Sequence, residues 1–321
     1  MSQLKTQLVI LIGISLSVIA LYGFLYLEHE WEIGLLLVAL PVVILLLKRA
    51  NMLIYYQKAA RLMPRFTLVS FVLGVLVLIL LLRHEHFALL MLTTVLLYVT
   101  VSLGLTIQFG FAGLVNFAAI AFFGIGAYSM AVLNHYFHAV PDLLIILFSG
   151  LTSALLGALL ILPILRTRGH YAALITIAFG ILLRTFLEVN DVFGGPQGLK
   201  VDGLEILGWD FADSFPSVLG GGSFYMAYAI AALLLAAAAY LLTRLIEASW
   251  FGLNMDSVRL DEVASASFGI NAPRWKITAF MAGNFFAGLA GAVYAAMSGF
   301  IAPASFNFAD SLLLVSIVLL G

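Results

Sequence analysis

A chain of 321 residues that is 64% hydrophobic and 10% charged is not a soluble globular domain, which is nearer half apolar and a quarter charged. The net charge of −1 carries no information on partners, and no nucleic-acid partner is expected. With no cysteine in the chain, disulfide frameworks, thiol nucleophiles and thiolate metal sites are excluded.

Apolar runs long enough to cross a bilayer recur along the whole length. Backbone polar groups inside a bilayer must be satisfied within the segment or in a closed barrel, and these runs are too long and too uniformly apolar for barrel strands. The fold class is therefore all-α, a polytopic transmembrane helical bundle of about ten spans. They are placed near 7–27, 32–47, 66–82, 87–107, 117–134, 142–165, 171–189, 223–246, 275–298 and 306–321. The first run is longer than the core of a signal peptide and no small-residue cleavage site follows, so it reads as a retained span. The second is short and contains Pro41, which predicts a tilt or a break.

Basic residues set the orientation. With the N-terminus inside, Lys5, Lys48, Arg49, Lys58, Arg61, Arg65, Arg166, Arg168, Arg244, Arg259, Arg274 and Lys276 are cytoplasmic, leaving only Arg83, Arg184 and Lys200 elsewhere. Most acids fall on the opposite side. The loop 48–65 holds five basic residues and no acid, a face suited to anionic membrane lipid.

Phe109–Asn116, FGFAGLVN, interrupts an apolar run with Gly110, Gly113 and the Asn116 amide. Such glycines allow either close helix packing or a broken helix that lines a substrate path. The span after the basic turn Arg166–His170 carries Arg184 and Glu188, an i,i+4 pair. An ionisable pair at membrane depth points to a site, while an Arg near a helix end also snorkels to water. The external loop 190–222 is acidic. It opens with a GGPQGL turn cluster, and LKVDGLEIL predicts a small hairpin about its Asp-Gly.

Ser257–Lys276 is the polar interruption with a helix signature. Asp256 or Ser257 is the expected N-cap, Asp261 and Glu262 suit the positive end of the helix dipole, and Leu260, Val263, Ala264 and Phe268 form an apolar stripe. Gly269 is the expected left-handed stop, followed by Pro273. In the next span Gly283, Ala287 and Gly291 repeat every four residues beside Gly288, a surface for close packing within the chain or against a second subunit.

No phosphate-binding loop occurs, so the chain is expected to be a transport subunit without its own ATPase, needing no cofactor of its own. The histidines are not set in a metal-ligand pattern. His84 and His86 flank Glu85 in an outer loop, where metal binding is the minor alternative; no metal site is expected.

Three segments carry a resemblance. GFAGLVNFAAIAFFGIGAY (110–128), RGHYAALITIAFGILLRTFLEVNDVFGGPQGL (168–199) and the loop and helix 257–300 are similar, in order, to LivM-type permeases, the membrane subunits of branched-chain amino acid ABC importers. The resemblance implies a homologous second permease, two cytoplasmic ABC ATPase subunits that hold the ATP and Mg, and an extracytoplasmic substrate-binding protein. It implies a plasma (inner) membrane location and transport of branched-chain or other small amino acids. Permeases for urea or short amides are the alternative within the family; an ion-driven secondary transporter is the alternative outside it. The substrate pathway is expected past Gly110, Phe111, Gly113, Asn116, Tyr128, Arg184 and Glu188. Contact with the ATPase is expected at Arg259, Asp261, Glu262, Ala264, Ala266 and Gly269. Residues 1–86 form N-terminal helices with a basic loop. Residues 87–321 form the permease core, with its coupling loop at 247–276 and an apparent C-terminal truncation. The chain departs from the family pattern at Leu253, Asp256 and Leu260 in the coupling loop, and at Ala118 and Ala119, where the pathway lining and hence substrate choice are affected.

Overall fold

The computed structural model describes residues 3–27, 29–49, 52–136, 140–167, 171–206, 208–211 and 221–320. Arg168 and His170 of the basic turn lie outside them, as does the middle of the external loop. Among the described residues thirteen α-helices run in order: α1 (Gln3–Tyr26), α2 (Glu30–Arg49), α3 (Met52–Leu62), α4 (Pro64–Leu81), α5 (His86–Leu105), α6 (Ala119–Tyr136), α7 (Asp142–Ile164), α8 (Tyr171–Val189), α9 (Tyr225–Glu247), α10 (Trp250–Leu260), α11 (Glu262–Ser267), α12 (Ala272–Ser298) and α13 (Phe308–Leu320).

Eight helical segments of the described chain are long and apolar enough to cross a membrane. Two of the ten expected spans are not among them. The second falls in α2, where only the shorter stretch Gly34–Val43 is apolar enough. The fifth is α6, which ends in Asn134, His135 and Tyr136 and carries Gly124, Gly126 and Ser129. Its side chains from Ala119 to Tyr128 are all buried, so α6 is an interior helix shielded by its neighbours. The basic segment 48–65, expected as a loop, contains the helix α3. Tyr56 of α3 packs on Gly13 of α1, where a Cβ would stand 2.5 Å from the tyrosine ring.

The centre of the bundle is α12, which packs along α5, α6 and α7. Small residues bring the backbones together. A Cβ on Gly104 of α5 would lie 2.5 Å from the Gly283 carbonyl oxygen. One on Gly126 of α6 would overlap the Gly288 carbonyl, and one on Gly291 would overlap that of Phe123. A Cβ on Gly288 would also lie 2.6 Å from the Ser149 carbonyl oxygen of α7. Ala287 is buried in the same row. The expected small-residue surface is thus occupied inside the chain by three different helices.

The external segment is tied to the bundle by strands and one tyrosine. β1 (Leu199–Lys200) pairs antiparallel with β4 (Phe300–Ile301), not with its sequence neighbour. The hairpin forms later, between β2 (Glu205–Ile206) and β3 (Trp209–Asp210), turning at Gly208 with φ +80° rather than at Asp202-Gly203. Pairing with the distant strand overrides the local turn signal because it also closes the chain over α12. Tyr228 Oη accepts from Leu204 N at 3.1 Å and donates to the Ala296 carbonyl at 3.2 Å, holding the segment to α9 and α12. Asp142 at the start of α7 accepts from Glu205 N at 2.6 Å.

Candidate functional site

The break between α5 and α6 is the first element of the site. After Leu105 the helix widens into one π-helical turn, Thr106–Phe111, a form often found at functional positions. Gly113 then takes φ +68°, a conformation that costs a residue with a Cβ about 1–2 kcal/mol. Its Cβ position stands 3.1 Å from Cγ of Arg259, so the left-handed turn also makes room for the stem of that arginine. Phe111 and Gly110 lie half-buried within the π turn.

A buried cluster of side-chain amides joins the break to α12. Gln108 Nε2 donates to the Phe280 carbonyl and to Asn284 Oδ1, both at 3.0 Å. Asn116 Nδ2 donates to Gln108 Oε1 at 2.9 Å and to Asn284 Oδ1 at 3.1 Å. Asn116 Oδ1 accepts from Ala118 N at 2.9 Å. Asn284 Nδ2 alone has no partner among the described residues, an expensive state for a buried donor. It lies against Gly157 of α7, where a Cβ would overlap it. Asn116 is legible in the sequence; Gln108 and Asn284 are not. The signal that would have found them is the cost of an amide inside a span.

Beyond Asn116 the chain enters α6 beside a cavity of about 290 Å³ between α6, α8 and the segment leading into α13. Phe117, Ala118 and Gly124 line one side, Arg184 and Glu188 another, and Phe306, Asn307 and Ser311 the third. The amides entering α6 are taken by side chains around it: Phe117 N donates to Thr176 Oγ1 at 3.2 Å and Ile120 N to Ser311 Oγ at 3.0 Å. Arg184 Nε donates to Glu188 Oε1 at 2.8 Å, with the two side chains 45% and 36% exposed. Tyr128 lies one layer behind, its ring 5.9 Å from that of Phe306 and 6.0 Å from that of Phe193. Its buried hydroxyl has no partner among the described residues. Of the expected pathway residues, then, Arg184 and Glu188 line the cavity and Tyr128 backs it. Gly110, Phe111, Gly113 and Asn116 belong to the break below, and Asn116 points into the amide cluster.

The second surface is formed by α10 and α11. A single helix starting at Asp256 or Ser257 was expected; the structure has two. Ser249 caps α10, accepting from Phe251 N at 3.2 Å. Asp261 ends α10 and caps α11, accepting from Val263 N at 2.8 Å and Ala264 N at 3.0 Å. Asp261 therefore takes the capping role, while the Ser257 hydroxyl bonds back to the Leu253 carbonyl. Gly269, at φ +82°, ends α11 as expected. Arg259 pairs with Asp256 at 2.7 Å, and Glu262 pairs with Lys276 at the start of α12. Trp250 and Phe251 meet the edge of Trp275 with ring centres 5.3 and 5.5 Å apart, and Met255 and Val258 are buried beneath. The outward side carries Leu260, Val263 and Phe268, which are 77%, 79% and 86% exposed, with Ala264 and Ala266 exposed on either side of buried Ser265.

Residues 87–321 match the family described as the permease component of branched-chain amino acid transport systems. Two curated relatives are both described as the high-affinity branched-chain amino acid transport system permease protein LivM. That of Salmonella typhimurium is 36% identical over 244 residues and that of Escherichia coli 35% identical over the same length. In each case the match covers 71% of this chain and 57% of the relative, so the chain spans a little over half the length of these proteins. No solved structure matches the chain. With the match running from the start of α5 to the end of the described bundle, the chain belongs to the family of branched-chain amino acid transport system permease components.

Proposed function

We propose that the chain is one of two homologous permease subunits forming the translocation pathway of an ABC importer in the plasma (inner) membrane. The N-terminus is cytoplasmic. Two separate ATPase subunits drive transport from the cytoplasm, an extracytoplasmic binding protein delivers the substrate, and the substrate is a branched-chain or other small amino acid. The observation that carries this reading is the α10–α11 unit. Its large apolar side chains point away from the bundle on the face that the basic residues assign to the cytoplasm, where exposed Leu, Val and Phe call for a protein partner. The same unit touches the α5–α6 break through Arg259 and Gly113, so a push on α10 reaches the break directly. Coupling of this kind requires the ATPase to bind the two states of the permease unequally.

The test is reconstitution of the chain with its sister permease and ATPases in vesicles. Phe268→Asp alters a side chain that supports nothing in the bundle, so the protein folds, but ATP-driven uptake falls at least about tenfold, as for loss of an interface anchor. Full uptake by that variant refutes the coupling role. Uptake that follows an ion gradient without ATP would favour a secondary transporter instead.

A further inference from the structure

We propose that Arg184 and Glu188 read the two charges of a zwitterionic α-amino acid, so that the membrane subunit itself selects its cargo in the cavity between α6, α8 and α13. This rests on the pathway reading above and deepens it. Three observations support it. First, the pair lies in the last two turns of α8, Arg184 about 8 Å and Glu188 about 1.5 Å along the helix from its end at Val189, at 1.5 Å per residue, beside the external segment from which a substrate would arrive. Second, both side chains line a half-open cleft of about 290 Å³, slightly below the range of drug-sized sites and fitting a small solute. Third, the pair is part-exposed and therefore weakly held, so it opens readily when each partner is offered a replacement.

The replacement is what a zwitterion supplies. A carboxylate meets the guanidinium in the bidentate geometry arginine favours, an ammonium meets Glu188, and the internal pair is exchanged for two external ones. The rest of the wall suits an aliphatic side chain: Phe117, Ala118 and Phe306 are apolar, and Asn307 and Ser311 add polar atoms at one edge. A neutral solute such as urea or a short amide offers no charge to either partner and leaves the pair closed. The geometry thus favours amino acids over neutral amides.

The chain lacks cysteine, so single cysteines report on the cavity cleanly. Asn307→Cys and Thr185→Cys lie on opposite walls. In the complex with cysteine-free partners and no ATP, their reaction with an external membrane-impermeant thiol reagent is expected to slow at least about threefold in millimolar L-leucine. Leucinamide, which lacks the carboxylate, and 4-methylpentanoate, which lacks the ammonium, should not protect. Arg184→Gln or Glu188→Gln should abolish protection by leucine, and Leu182→Ala, at an exposed position outside the cavity lining, should retain it. The proposal is overturned if neither cysteine reacts, if leucine and the two analogues protect equally, if urea protects and leucine does not, or if Arg184→Gln/Glu188→Gln transports at the normal rate. In each of those cases the unmodified complex still shows ATP-driven uptake. Loss of ATP dependence in the unmodified complex would instead count against the importer reading.

Discussion

At the scale of single residues, Gly113 and the amide cluster carry the sharpest expectations. Gly113→Ala meets two penalties, the left-handed backbone at φ +68° and the Arg259 stem. A loss of about 1–2 kcal/mol lowers thermal stability by a few degrees, read by a melting assay in detergent, and ATP-driven uptake falls further than stability does. Asn116→Ala strips an acceptor from Ala118 N and a partner from Gln108 Oε1, costing about 1–3 kcal/mol for the buried groups left unmet. Replacing Gln108, Asn116 and Asn284 together by leucine recovers part of that stability, because no side-chain amide is then stranded, while Ala118 N still lacks its acceptor. The sequence exposed only part of this. Gly113 and Asn116 stand out because they interrupt an apolar run. Gln108 lies inside one, and Asn284 is hidden among glycines and alanines, and what joins them is a contact between residues 176 positions apart.

Among elements, the helices of the core were readable from their apolar length, but their ends and partners were not. Asp261 illustrates why. Its carboxylate can cap only if the chain bends at Leu260, and that bend is fixed by Met255, Val258 and the Trp275 edge contacts. Asp261→Ala is expected to cost about 1 kcal/mol and to loosen α11, seen as faster amide exchange over 262–267, while Asp261→Asn is tolerated. The hairpin fails for the same reason: Asp202-Gly203 is a good turn, yet Leu199–Lys200 finds Phe300–Ile301 first. The glycine row of α12 was legible as a packing surface, but not the identity of its neighbours. Gly291→Val would drive a side chain into the Phe123 carbonyl and should give no folded protein by size-exclusion profile. Gly34→Ala, with nothing within 4 Å of its Cβ position, should be neutral.

For the whole molecule, the packing divides unevenly. The helices α5, α6, α7 and α12 share one continuous buried core, whereas Ile10, Ile14 and Ala59 of α1 and α3 form a separate small cluster. On α8 only Thr176 and Leu187 are buried, and on α13 only Ser311, Leu314 and Val315. Spin labels on the exposed positions Val95 of α5 and Leu155 of α7 should keep their separation within about 2 Å between nucleotide-free and ATP-bound complexes. A Val95–Leu182 pair, reaching to α8, should change by more. Glycine-to-carbonyl seating on three flanks has a mechanical outcome: α12 has no free direction in which to slide or roll. The bundle thereby owns one stiff jaw, and the loose one is the thin leaf made of α8 and α13. Under the proposed pathway, passage would take place along the seam between jaw and leaf, and a sister subunit pressing on that leaf would set the aperture without bending the spine.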